Sequence, residues 1–291
     1  MNNTAEKNTA AEVWDLEIKP QAGLFDLKLK EVWQYRDLIL LFVKRDFTAQ
    51  YKQTILGPLW HFIQPVFTSI VFLLVFSKIA SIPTDGIQPP FLFYMSGITI
   101  WNYFSTCLIS TSTTFIANAS IFGKVYFPRL VIPVSAVISN IIKFGIQFLL
   151  LLALLIWFGI KNNHFHISVS WLLIPVLVLM MAGMGLGLGI IISSLTTKYR
   201  DVNVLIGFAV QLLMYATPVA YPLSFIRHKS FAAWIVWNPL TPIIEAFRFA
   251  LFGSGTLNTA GLLYSGCFIA VTLFAGLLIF SRVERTFIDT V

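Results

Sequence analysis

Glu245 and Arg248 stand three residues apart, a spacing that lets a carboxylate meet a guanidinium on one helix face. As an exposed local pair they contribute only about 0.2–0.5 kcal/mol. The remaining ionisable groups within apolar sequence are few. Lys143 sits about one-third of the way into a long apolar run, where its stem can carry the ammonium toward the headgroups. His164 and His166 share a short loop without a nearby Cys, Asp or Glu, a poor set for a metal. No apolar run holds a pair of carboxylates, so the proton relay of an ion-coupled carrier has no evident members. There is no G-x-x-x-x-G-K-[ST] phosphate loop. The chain therefore offers no catalytic residues, no metal ligands and no cofactor site; if ATP drives its work, ATP and Mg bind a separate subunit.

The elements that must carry these groups are set by composition. Of 291 residues, 57% are hydrophobic and 11% are charged, against about 25% charged in soluble domains. Several windows reach the roughly 20 apolar residues that cross a bilayer. The sequence predicts an all-α membrane protein with six spans, at about 55–80, 91–117, 131–159, 168–195, 203–222 and 260–280, within a permease-like region 54–285. Residues 1–29 and 286–291 read as polar tails, and the first tail has no apolar core, so no cleavable signal is expected. Pro58 fits a first-turn proline of span one, and Pro65 predicts a kink there.

Between tail and first span lies "KEVWQYRDLILLFVKRDFTAQYK". Val32, Tyr35, Ile39, Phe42, Val43 and Phe47 recur at spacings of three and four, so residues 30–53 form an amphipathic helix suited to the membrane interface. Lys44, Arg45, Lys52, Lys124, Arg129, Lys198, Arg200, Arg282 and Arg285 gather at one end of the spans; Lys78, Lys161, Arg227, Lys229 and Arg248 lie toward the other. That bias places both termini in the cytoplasm. The net charge of +7 is accounted for by these helix ends, so no nucleic-acid partner is expected. Segment 223–257 holds two apolar pieces separated by Asn238, Pro239 and Pro242, each too short to cross, which predicts a pair of short re-entrant helices.

Ser, Thr, Asn and Gln are dense in "STCLISTSTTFIANAS", and two roles fit them: hydrogen bonds between helices, or the wall of a wet path. Gly183, Gly185, Gly187 and Gly189 give two overlapping G-x-x-x-G spacings and predict close helix approach. Cys107 and Cys267 lie in apolar runs and suggest packing rather than a disulfide.

The stretches "RDFTAQYKQTILGPLWHFIQP", "ANASIFGKVYFPRLVIPVSAV", "TKYRDV" and "ATPVAYPLS" with "WNPLTPIIEAFR" occur in the order seen in ABC-2-type exporter permeases. The chain resembles that family over about residues 30–285, and within it the polysaccharide branch that exports O-antigen, capsule and teichoic acid. The resemblance implies a homodimer in the inner (cytoplasmic) membrane. A nucleotide-binding ATPase subunit docks on each half, and a lipid-linked glycan crosses between the halves. It further implies that Lys124, Tyr126, Phe127, Pro128 and Arg129, with Arg45 and Asp46, couple to the ATPase, Tyr126 and Phe127 acting as a knob for a partner's groove. Trp60, Phe67, Phe208 and Tyr215 would line the channel, and Trp234, Trp237, Glu245 and Arg248 an outer gate. A permease of the same fold exporting a small molecule such as a drug shares these features. A membrane-embedded transferase would need a cluster of acids and histidines at one membrane face, and a channel or secondary carrier would need buried charge; neither pattern is present.

Overall fold

The computed structural model describes residues 29–287, apart from 53, 123, 126, 163–167, 197, 198, 200, 230, 231 and 256. Among the described residues the chain is helical and has no strand. Helices α1 (Leu29–Gln34) and α2 (Arg36–Tyr51) open it. Next come α3 (Trp60–Phe72), α4 (Pro90–Ser112), the single turns α5 (Thr114–Ala117) and α6 (Ala119–Phe122), and α7 (Val131–Asn162). Then follow α8 (Leu173–Thr196), α9 (Val202–Tyr215), α10 (Leu223–Ile226), α11 (Ala232–Val236), α12 (Leu240–Phe252) and α13 (Thr259–Phe287).

Four stretches among the described residues are long and apolar enough to cross a membrane: Gly57–Ile79, Val131–Lys161, Val169–Thr196 and Thr259–Arg282. The first begins in a 3₁₀ turn at Gly57–Leu59, where Pro58 occupies an opening position. Its winding passes through Pro65 and changes at Leu73, where a π-helical segment runs to Ile79. Ser69 Oγ donates to the Pro65 carbonyl at 2.7 Å.

Helix α4 is the hub. Its 23 residues rise about 34 Å, and most of its side chains are buried by protein. The glycine run in α8 explains one side of this packing. Residues two apart on a helix point in nearly opposite directions, so Gly183 and Gly187 face α13 while Gly185 and Gly189 face α4. A Cβ at Gly185 would lie 2.7 Å from Cys107 Cβ, and one at Gly189 would lie 2.6 Å from Thr111 Cβ. On the other face, Cβ atoms at Gly183 and Gly187 would meet Ile269 at 2.9 Å and the Leu273 nitrogen at 3.0 Å. Absent side chains thus let α8 seat between two helices. Toward α7, α4 presents Tyr103 to Phe144, with ring centroids 5.1 Å apart. Asn140 Nδ2 donates to Ser110 Oγ at 2.9 Å and Asn102 Nδ2 to Gln147 Oε1 at 3.4 Å. Part of the polar run therefore does the first of its two candidate jobs, bonding helix to helix. Cys107 and Cys267 are free thiols.

Four boundaries differ from expectation, the last being α13, which runs to Phe287 rather than 280. The interfacial helix breaks at Tyr35 into α1 and α2. The second run stops at Ser112 rather than 117, and residues 113–122 continue as separate turns. The fifth stops at Tyr215 rather than 222, because Pro218 disfavours helix just before it and the Pro218 and Val219 carbonyls bond elsewhere.

Candidate functional site

The side chains singled out in sequence fall into two clusters at opposite ends of the helices, with exposed aromatics between. At the basic end, α2 lies along the start of α7. The stripe read from sequence is the packing face: Ile39, Phe42 and Val43 are buried against Phe127, Val131 and Ile132, with Val32 and Tyr35 beside them. This face packs on protein, while Trp33, Leu40 and Leu41 remain exposed on other sides. Phe47 meets Tyr51 edge-on at 4.5 Å, and Tyr51 meets His61 of α3 at 5.7 Å. Burial raises the Tyr51 phenol above its ordinary pKa.

Phe127 is 5% exposed. Its ring lies 5.7 Å from Phe42 and 5.8 Å from Phe122, the latter stacked. This corrects its expected role as a knob presented outward: the ring is an internal rivet between the 119–130 loop and α2. Pro128 and Arg129 are buried with it, and the Arg129 guanidinium lies 5.3 Å over the Phe122 ring. Arg45 caps the cluster from α2. It lies 4.6 Å over Phe42, bonds Asp46 Oδ1 at 2.7 Å, and reaches Asn118 Oδ1 at 3.5 Å. Only Lys124 and Val125 of the described loop residues between 123 and 130 are exposed. Tyr126 lies outside the described residues, as do His164, His166, Lys198 and Arg200. Lys143 is half-buried.

At the opposite end, the expectation of an exposed Glu245–Arg248 pair is overturned. Arg248 is 2% and Glu245 9% exposed. Arg248 Nη1 donates to the Pro218 carbonyl at 2.6 Å and to Glu245 Oε1 at 3.3 Å; Nη2 donates to the Val219 carbonyl at 2.7 Å. The guanidinium stacks 3.7 Å above the Phe93 ring of α4. Gly97 makes the room, since a Cβ there would stand 2.6 Å from Arg248 Nη2 and 2.9 Å from the Val219 oxygen. A buried ion pair needs its remaining donors and acceptors satisfied to offset desolvation, and here backbone carbonyls supply much of that. The pair therefore clamps three segments: α12, the 216–221 turn and α4.

Further bonds tie the same region. Asn238 bonds the Ala216 carbonyl and Thr217 Oγ1 at 3.1 and 3.0 Å, and its Oδ1 accepts the Leu240 N–H that opens α12. Pro242 sits in that first turn, where its missing N–H costs nothing. The break between the short helices falls at residues 237–239. Gly253 ends α12 at φ +66°, a left-handed cap. Trp234 and Trp237, grouped in sequence with Glu245 and Arg248, are not beside them but 84% and 70% exposed. Trp60, Phe67, Phe208 and Tyr215 are all exposed on α3 and α9.

Four apolar stretches long enough to cross a membrane, packed around a buried helical hub, give the described chain the form of a polytopic membrane protein. The chain belongs to the ABC-2 type transporter family, whose model matches residues 37–252. It is similar to the O-antigen export system permease protein RfbA of Klebsiella pneumoniae, 29% identical over 261 residues covering 87% of this chain and 94% of the relative. It is similar also to the protein of the same name from Myxococcus xanthus, 27% identical over 266 residues, 90% and 98% of the two chains. The polysialic acid transport protein KpsM of Escherichia coli is 22% identical over 253 residues, 84% and 93%.

Proposed function

We propose that the chain is the membrane-spanning permease subunit of an ATP-driven exporter that moves a lipid-linked polysaccharide across the inner membrane. The observation that carries this is the near end-to-end match to O-antigen export permeases, 94% and 98% of their lengths. ATP hydrolysis resides in a partner ATPase, which holds the nucleotide and Mg.

Six crossings follow when α4 and α9 join the four long apolar stretches. Helix α4 has the length, and its polar residues are shielded by α3, α7, α8 and α12. Helix α9 has 14 residues, about 21 Å, and the 216–221 turn completes its path. An even number of crossings puts both termini on one side, and the excess of Lys and Arg at the α2 end makes that side cytoplasmic. Helices α11 and α12, of 5 and 13 residues, then enter and leave from the outside, with α12 shielded by protein.

The same reading makes the functional unit a homodimer. Helix α9 buries only Ile206 and Val210 and leaves Val204, Leu205 and Phe208 open; α3 leaves Trp60, Phe67 and Val71 open. Two copies meeting along these weakly packed helices enclose a path in which Trp60, Phe67, Phe208 and Tyr215 offer broad faces to sugar C–H surfaces. On the cytoplasmic side the ATPase engages the exposed Lys124 edge, and the Phe42–Phe127 rivet passes its motion to α2 and α7. The cellular test is removal of the gene. Surface polysaccharide is lost and lipid-linked glycan accumulates inside; an unchanged surface coat together with loss of export of some small molecule assigns the cargo to that class instead.

A further inference from the structure

The two tryptophans that the clamp leaves out point to a separate role. Four of the eight tryptophans, Trp157, Trp171, Trp234 and Trp237, occur at the outer end of the helices. Trp157 lies five residues before the end of α7, about 8 Å along its axis. Trp171 lies in the 3₁₀ turn Val169–Leu172 that opens the α8 span. Trp237 is fixed at a comparable depth: its carbonyl accepts from Tyr264 Oη at 3.1 Å, its ring meets Tyr264 edge-on at 6.1 Å, and Tyr264 is five residues into α13. Indole rings collect where apolar chains meet headgroups; Trp171 packs on the core with its Nε1 buried, so the exposed Trp157 on α7 and Trp237 beside α13 mark the interface level from two separate elements.

The short helix α11 lies in that level and is two-sided. Ala232 and Ile235 are buried inward, while Trp234 and Trp237 face out. Directly before it, Arg227, His228 and Lys229 form an exposed turn. Three residues upstream, Ser224 Oγ donates to Asp85. An aromatic edge beside consecutive bases is the chemistry of an interfacial anchor for anionic lipid.

We propose that Arg227, Lys229, Trp234 and Trp237 anchor this end of the protein in the outer leaflet, with Trp234 and Trp237 at the acyl–headgroup boundary and Arg227 and Lys229 holding the phosphates of anionic lipids. The anchor does not depend on the identity of the cargo. It gives α12 a fixed reference: lipid holds Arg227, Lys229, Trp234 and Trp237, while the adjoining Asn238 is tied to the 216–221 turn.

The test uses the full chain in lipid nanodiscs, with exposed Cys267 replaced by Ser and a polarity-sensitive fluorophore placed on Trp234→Cys. A chain without the introduced cysteine sets the background from buried Cys107. Nitroxide lipids labelled near the headgroup quench the probe more than lipids labelled at the chain end, and aqueous iodide quenches it little. The ratio of quenching by headgroup-labelled phosphatidylglycerol to that by phosphatidylcholine exceeds one. It falls in Arg227→Gln and Lys229→Gln chains, by up to roughly fivefold per cation. A probe quenched by iodide and not by lipid overturns the anchor. A phosphatidylglycerol preference that survives loss of both cations overturns the phosphate assignment.

Discussion

Arg248→Met lowers the stability of the permease by about 3–5 kcal/mol, because it leaves Glu245 as an uncompensated buried charge and frees two carbonyls. The residue has no route to solvent at 2% exposure. Methionine keeps the stem length but cannot bond Pro218 or Val219, so the 216–221 turn loses its tie to α12 and α4. Arg248→Lys rescues only in part, since a point ammonium cannot serve two carbonyls and a carboxylate as the planar fork does. Glu245→Gln is milder, because the guanidinium keeps both carbonyl acceptors. Gly97→Ala reproduces the defect without touching either charge, as its Cβ intrudes on Nη2 and on the Val219 oxygen. The measurement is the thermal unfolding midpoint of the purified chain, with export alongside. A midpoint unchanged in Arg248→Met and in Gly97→Ala contradicts the clamp.

The second large effect is expected at the other end. Phe42→Ala and Phe127→Ala each remove a buried ring from the small cluster that fixes α2 to the loop and α7. Large-to-small changes of buried Phe cost about 3–5 kcal/mol in a core, and this cluster is the main attachment of α2. In the assembled exporter the double variant still binds its ATPase and hydrolyses ATP, but export per ATP falls by an order of magnitude or more, roughly the effect of losing more than 1.4 kcal/mol of coupling. Lys124→Ala acts differently. It sits on the exposed edge, so it weakens ATPase binding while export per bound ATPase stays near normal. Unchanged export per ATP in the double ring variant removes the rivet from the coupling path.

The contrast between these clusters shows where sequence is informative. The α2 stripe was legible because its residues share one helix and a period of three to four, although it packs on Phe127 and the start of α7 rather than facing the membrane interface expected of it; the break at Asn238–Pro239 was legible because proline acts locally. The glycine spacing gave close approach, although not that α8 would use both faces, one toward α4 and one toward α13. Arg248 was misread as exposed because its partners lie far off in sequence: Pro218 and Val219 on another turn, Phe93 and Gly97 on α4. No local pattern announces a cavity built from three segments. Phe127 was misread for a related reason. An aromatic in a short loop looks the same whether it faces a partner or its own neighbour, and only the packing of Phe42 and Phe122 around it decides. The four aromatics of α3 and α9 were found in sequence by type alone, and their exposure is shared with many apolar neighbours such as Val204 and Leu205.

The central claim is that this chain, as a dimer with an ATPase, passes a lipid-linked polysaccharide. Its most direct test is reconstitution of the permease with the ATPase in vesicles carrying a lipid-linked glycan on the face where ATP is supplied. The glycan's appearance at the opposite face is then measured with a glycosidase that cannot cross the membrane. The account predicts ATP-dependent transfer that stops when the ATPase is inactivated and when Phe42 and Phe127 are both alanine. Transfer at the same rate without ATP, or none with an active and stably bound ATPase, would contradict it.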